Sequence, residues 1–317
     1  MTPRPSDHMT AETRESISRY TFCEVPQSEA RALCLERHYS RIWHHTFGAY
    51  NYGMTDSAGK LIGVAVYGGM KNPTSTASIA DVRRGELVEL NRLWIDDSAG
   101  RNAETQLMAY AHRELRRNTP VRIIQSFADG RLGVGTIYQA ASFGYYGHHE
   151  TLFYENIRTG RVHNSTAMNN SGYREGMLLN VHLARGDMRA FKVDTYRYLK
   201  PLNKSYARRI RLERVPYPKV RRGARYIDNY TPPVSQIARA YCIALIEGSA
   251  TAAELADYAH RLGMTGADVD DVIGNEWIVK HAAGAGLPLA GLAETMLAGE
   301  SVTVGGTLDM FGMDVTP

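Results

Sequence analysis

The sequence predicts an α/β fold, a mixed central sheet flanked by helices, followed by a small C-terminal all-α appendage. Three observations carry that prediction. Between residues 86 and 156, short apolar segments with strand character alternate with two segments of helical spacing. Ahead of them stand a strand, a helix and a hairpin. After them the charge changes abruptly: residues 200–225 hold ten Lys and Arg against Glu213, a net +9, and residues 226–317 carry −9. The overall charge of +4 conceals that band.

Taken in order, RYTFCEVP (19–26) alternates apolar and polar residues as a strand does. SEARALCLERHYS sets Ala30, Leu33, Cys34 and Leu35 at near-helical spacing behind a Ser28 cap. HTFGAYNYGMTDSAGKLIGVAVYGG reads as a hairpin with Asp56 to Lys60 as its turn, and residues 71–85 as loop with a short helical piece. ELVELNRLWID (86–96) is apolar enough for a central strand, and DSAGRNA is a polar turn. ETQLMAYAHRELRR is a helix with Leu107, Ala111 and Leu115 at four-residue steps. Asn102 can cap it, and Arg113, Arg116 and Arg117 complement its C-terminal dipole. VRIIQSFAD (121–129) is a short strand, GTIYQAASF (135–143) a short helix and GYYGHHETLFYEN a further strand. Past the basic band, VSQIARAYCIALIEG and TAAELADYAHRLG read as helices, the second opened by a Thr251/Glu254 capping box, with VDDVIGNEWIVKHAA as a third. The expected organisation is a flexible tail over 1–17, a catalytic domain over 18–199, a basic connector over 200–232, and a small helical domain with a loose tail over 233–317.

At 317 residues and 44% apolar content the chain can bury a full core. No apolar run approaches the ~18 residues that a membrane span needs, and the N-terminus lacks the basic-then-apolar order of a signal peptide. Three cysteines (Cys23, Cys34, Cys242) without CxxC spacing argue against a disulfide scaffold and a zinc knuckle. The chain reads as a reduced, cytoplasmic protein, with its oligomeric state open and a homodimer among the options.

In such a sheet a cofactor pyrophosphate is held by backbone N–H groups at the turn before a helix. The candidate is Asp96–Asn102, where Arg101 and Asn102 suit the role while Asp96 and Asp97 oppose it; an ordinary capped surface turn is the alternative. SFADGRLGVGTIYQAASFGYYG (126–147) follows at the end of the next strand, where ligands of such sheets sit. Ser126, Asp129 and Tyr138 would gather there, Tyr138 as proton donor and Asp129 as acceptor or orienter. Alternatively Asp129 caps the turn and Tyr138 packs its ring. Arg92, charged within an apolar strand, must pair with a carboxylate or face an anionic ligand. RHYSRIWHH (37–45) gathers His38, Tyr39, His44 and His45, a conceivable metal site, although the neighbouring His44 and His45 should point apart. The basic band interleaves Arg208, Arg209, Arg211, Arg214, Lys219, Arg221 and Arg222 with Tyr206, Tyr217 and Tyr226, which suits phosphate backbone and exposed bases.

The element order is similar to the acyltransferase fold of the GCN5-related N-acetyltransferase (GNAT) type. ERHYS (36–40), ELNRLWIDDSAGRNAETQ (89–106) and SFADGRLGVGTIYQAASFGYYG together resemble the Mom family of bacteriophage DNA-modification enzymes, and PYPK in the basic band adds a weaker likeness. The resemblance covers residues of roughly 36–147 and leaves out 233–317. It implies a GNAT-like transferase that converts adenine in double-stranded DNA to N6-carbamoylmethyladenine and shields phage DNA from host restriction, with acetyl-CoA or a related acyl-CoA and with iron. Carried over by position, Arg92, Ser126, Asp129 and Tyr138 become active-site residues, Arg101 and Asn102 cofactor-loop residues, and His38–Tyr39 a metal or substrate site. Two departures stand out: the acidic C-terminal extension, and Ala141–Ser142 where a glycine is expected before the aromatic. Plain acyl transfer to adenine N6 would leave an amide, so a carbamoylmethyl product asks for chemistry beyond that step. The rivals are a conventional CoA-dependent N-acetyltransferase acting on a small amine or protein, and a non-catalytic DNA-binding accessory protein.

Overall fold

The computed structural model describes residues 20–70, 75–164, 174–220, 222–228, 230 and 234–297. The chain forms two compact units, the first from residues up to 149 and 194–223, the second from 150–193 and 224 onward. Among the described residues no helix is long and apolar enough to cross a membrane.

The first unit opens with β1 (Thr21–Glu24), α1 (Gln27–Arg37), and the hairpin of β2 (Tyr50–Thr55) and β3 (Leu61–Gly68). The hairpin turn forms where expected, because Asp56 Oδ1 accepts the N–H groups of Ala58 and Lys60, both at 2.9 Å, and Gly59 supplies φ +77°. After α2 (Thr76–Ile79), β4 (Leu87–Ile95) pairs antiparallel with β3. Next come α3 (Ala103–Asn118), β5 (Ile123–Asp129), α4 (Thr136–Ala140) and β6 (Gly144–Asn156). β5 runs parallel to β4 and antiparallel to the later β8 (Met188–Pro201). The sheet order β1-β2-β3-β4-β5-β8-β6, with β4 and β5 parallel, realises the GNAT-like arrangement expected from the element order. Leu107, Met108, Ala111 and Leu115 of α3 pack with Val88 and Leu90 of β4 in the main core of this unit.

A bulge interrupts β4. Val66 pairs with Arg92 and Tyr67 with Leu90, so Asn91 has no opposite number. Its effect can be followed in the apolar pattern: Val88 and Leu90 face the α3 core, and after the bulge Leu93 and Ile95 do so while Trp94 packs with the α1 cluster. In an unbroken strand Arg92 would share a face with Leu90. The bulge turns it to the α1 side instead.

The second unit contains β7 (Val162–Asn164), α5 (Arg174–Ala184), β9 (Ala224–Tyr226) and five helices. These are α7 (Val234–Ile246), α8 (Ala252–Leu262), α9 (Gly266–Ile273), α10 (Glu276–Gly284) and α11 (Leu289–Leu297), numbered after α6 (Lys204–Ala207) of the first unit. Their core joins Ile237, Tyr241, Leu255, Val272, Ile278 and Leu292.

Several expectations change. A single domain over 18–199 is not how the chain divides, since 150–193 packs with the C-terminal helices. The band after residue 200 is no free connector either. It lies on the first unit, where Ile210 bridges Ala80 and Val215 bridges Tyr145. Asn102 takes a left-handed conformation (φ +65°) at the start of α3 and makes no side-chain cap, and Pro26 rather than Ser28 stands at the α1 N-cap. The capping box of Thr251 and Glu254 forms as read. The expected third helix is two, α9 and α10, parted at Gly274–Asn275, and α11 occupies sequence that reads as tail. The tails 1–17 and 298–317 lie outside the described residues.

Candidate active site

β4 and β5 pair only at Leu87↔Ile123, Val88↔Ile124 and Glu89↔Gln125. Beyond that point both strands continue without pairing to each other, β4 to Ile95 and β5 to Asp129. The parting of two parallel strands opens a gap in the sheet with main-chain groups on either side. Most of the residues singled out in the sequence converge there.

Ser126 is buried on β5, and its Oγ donates to Leu90 O across the gap at 3.4 Å. It also hydrogen-bonds the hydroxyl of Tyr138, which reaches in from α4 and lies 3.4 Å from Phe127 O. Tyr138 is held by a tilted contact with Tyr198 (5.3 Å) and an edge contact with Phe143 (5.6 Å). Burial pushes its phenol up to about 12, against which the Ser126 bond works only partly. Tyr138 therefore keeps its proton at neutral pH and is a donor.

Asp129, at the end of β5, is gripped by a residue that sequence reading passed over. Arg131 Nε lies 3.0 Å from each carboxylate oxygen, its Nη2 joins Oδ2, and its backbone N–H donates to Oδ1 at 2.9 Å. This fork fixes the carboxylate geometrically. The glycines nearby allow close packing: a Cβ on Gly130 would lie 2.5 Å from Asp194 O, and one on Gly135, at φ +80°, 2.5 Å from the Tyr198 ring.

Arg92 is held by main-chain carbonyls rather than by a carboxylate. Its Nε and Nη2 donate to Ile42 O at 3.2 and 3.0 Å, Nη1 donates to Asn91 O at 2.6 Å, and its guanidinium lies 4.6 Å over Phe47. Arg92 thus ties the loop after α1 to the sheet. Burial lowers its pKa, while Tyr39, Cys34, Glu89 and Tyr138 act as neighbours that favour its charge. The tie brings Tyr39 to the gap. Burial raises the Tyr39 phenol, followed by the charge of Asp129, with Arg92 and Arg131 opposing. Since 60% of Tyr39 is exposed, solvent screens that shift.

Glu89 and Gln125 stand at the last paired rung, with Gln125 Nε2 3.4 Å from Glu89 Oε2. Neither was given a role of its own in the sequence, although Glu89 opens the ELNR motif. Beyond them on β5, Phe127 meets the Arg197 guanidinium at 5.5 Å and the His149 ring at 5.6 Å.

His38 is buried, and burial together with Arg92 holds its imidazole down to about 3. Ser40 N–H donates to Nδ1 at 3.1 Å and Ser40 Oγ lies 2.9 Å away, so Nδ1 accepts and the proton sits on Nε2. His44 and His45 do not point apart, their rings lying 4.1 Å from one another. Among the described residues, no three His, Cys, Asp or Glu side chains group as a metal site. Among the described residues this grouping lends no support to the iron that the family resemblance implies.

Arg101 and Asn102 are exposed at the start of α3. The turn is closed on itself: Asp96 Oδ1 accepts Ser98 N–H (3.0 Å) and Ser98 Oγ (2.7 Å), and Gly100 N–H donates to Tyr20 Oη at 2.7 Å. A pyrophosphate here finds the α3 N-terminus and Arg101, with the Asp96 carboxylate as a competitor for the loop N–H groups.

In the basic band Arg208, Arg209, Lys219 and Arg222 are exposed, Arg209 lying 4.9 Å over Tyr206. Arg211 is partly engaged, donating to Ala77 O at 2.8 Å and standing 3.8 Å from Asp81. Arg222 lies 3.9 Å from Asp194, and Arg221 falls outside the described residues.

Residues 19–219 match the Mom protein family. The chain is 34% identical over 198 residues to the methylcarbamoylase mom of Escherichia phage Mu, across 60% of this chain and 80% of that protein. Solved structures with a related fold include a spermidine/spermine N-acetyltransferase from Vibrio cholerae (12% identity, 61% of this chain and 98% of that one, TM-score 0.36). Another is NAA60 of Arabidopsis thaliana in complex with a bisubstrate analogue (11% identity, 57% and 98%, TM-score 0.35).

Proposed function

The chain belongs to the Mom protein family, and from that premise we propose that it is a transferase acting on adenine in DNA. Its product is an N6-carbamoylmethyl-type base that protects phage DNA from host restriction. The observation that carries this reading is the 34% identity to the phage Mu methylcarbamoylase over 80% of that protein. The gathering of Ser126, Asp129, Tyr138, Arg92 and Tyr39 at the parting of β4 and β5 supports it.

In this reading the target adenine leaves the base stack and presents N6 at the gap. Tyr138 holds a proton on Oη beside Ser126 and supplies it to a leaving atom. Asp129, fixed by Arg131, orients the acceptor. Arg92 positions Tyr39 through Ile42 rather than touching substrate. An acyl-CoA would be held by Arg101, Asn102 and the α3 N-terminus. Arg208, Arg209, Arg211, Lys219, Arg221 and Arg222 contribute phosphate contacts with double-stranded DNA.

The test is nucleoside mass analysis of DNA from bacteria expressing the chain. A modified deoxyadenosine is expected with the natural sequence and none with Asp129→Ala. Tyr138→Phe should lower the yield by about 10²–10⁴-fold, the usual worth of a positioned proton donor. Unmodified DNA alongside newly acetylated amines would instead identify a conventional N-acetyltransferase.

A further inference from the structure

We infer that Leu132 is a wedge that fills the space left in the duplex when the target adenine is turned out; this rests on the DNA-adenine reading above. Leu132 sits at the tip of the turn that follows β5 and is 61% exposed. The turn beneath it is braced rather than loose. Asp129 O accepts the N–H groups of Leu132 (2.9 Å) and Gly133 (3.1 Å), and Arg131 closes the turn through its fork on Asp129. A large aliphatic side chain is thus held outward, three residues from the carboxylate of the candidate centre.

A single exposed leucine on a surface needs no explanation. Leu132, however, has company on the loop that meets the same site. Tyr39 is 60% exposed and neighbours Asp129 and Arg131, and Ile42 is 46% exposed while its carbonyl holds Arg92. Three exposed apolar side chains therefore belong to the two loops that build the candidate centre. Exposed Arg41 lies on the same loop and gives this rim a positive charge suited to phosphate, while Arg37 on the preceding helix is paired with Glu36 at 2.9 Å.

A base inside a duplex cannot reach a site recessed between two strands, so it must unstack. Proteins that open a base step commonly fill it with Leu, Ile, Phe or Met, which recovers part of the lost stacking by apolar contact. Of the three rim residues, Leu132 suits that role best. Tyr39 already rests on the His38 ring, 4.3 Å between centroids, which makes it a platform for the displaced base. Ile42 is pinned through its own main chain to Arg92. Leu132 is the side chain at a turn tip, free of core packing and narrow enough to enter a step.

The experiment compares Leu132→Ala, Leu132→Phe and the natural chain in lysates of expressing bacteria, which supply the small-molecule co-substrates. Mixed-sequence duplex DNA and the same strands kept single are added separately, and modified deoxyadenosine is measured by mass. Leu132→Ala should lower duplex modification by about tenfold or more and leave single strands within about twofold, because unstacked bases need no wedge. Leu132→Phe, which restores an apolar filler, should retain duplex activity. Undiminished duplex modification by Leu132→Ala overturns the wedge, as does an equal loss on single strands. A natural chain that modifies neither DNA overturns the adenine reading itself, and the wedge with it.

Discussion

Ser142 holds φ +62° with a full side chain, at the place where the sequence departs from the expected glycine. The reason for that expectation is now physical. The end of α4 must turn back so that Phe143 N–H can donate to Tyr138 O at 2.9 Å, and the turn requires a left-handed residue. An L-residue there costs about 1–2 kcal/mol, partly offset by the extra chain freedom that glycine brings to the unfolded state. Ser142→Gly should therefore stabilise the protein by about 0.5–1 kcal/mol, read as a rise in denaturant midpoint at unchanged slope. Asp129 offers a second lesson at this scale. Its importance could be guessed from SFAD, but its clamp by Arg131 could not, because an i,i+2 pairing depends on the turn that folds the two together.

At the scale of elements, β4 was legible as a strand and illegible as a device. ELVELNRLWID announces its apolar content, and the break in alternation at Asn91 is visible once the bulge is known. The consequence, an arginine turned to the α1 side to hold Ile42, depends on which strand lies opposite and where its pairing slips. The basic segment behaves similarly. Its charge is plain in the sequence, whereas its attachment through Ile210 and Val215 is a tertiary fact. That attachment makes Arg208 and Arg209 fixed rather than tethered charges. Replacing both by Ala should weaken DNA binding uniformly across sequences and make the slope of log K against log salt shallower by about 2. Salt-titrated binding measurements check this, and an unchanged slope would move the phosphate contacts elsewhere.

At the scale of the molecule, the family match ends at residue 219, so helices α7–α11 of the second unit lie beyond it. Stability of the first unit carries a predictable acid limb. Burial is the largest cause holding His38 and His112 down to about 3, with Arg92 and Lys200 adding to it respectively, whereas an unfolded imidazole titrates near ~6.5. Folded values below unfolded ones mean that stability is complete above about 6.5 and is lost as pH falls toward 3. At pH 5 the loss is on the order of 2 kcal/mol per histidine. His112→Leu should flatten that limb in thermal melts taken across the range. The sequence by itself determined the element types as far as β6, the sheet class, the family and most of the residues at the gap. Those follow from periodicity, turn chemistry and side-chain type, which are local properties. Tertiary structure alone decided the division at 149 and 193, the placement of β8 beside β5, the Arg131 clamp and the gathering of Tyr39 with Tyr138. Each of these joins residues distant in the chain or re-aimed by a turn, and pairings of that kind are set by packing rather than by local pattern.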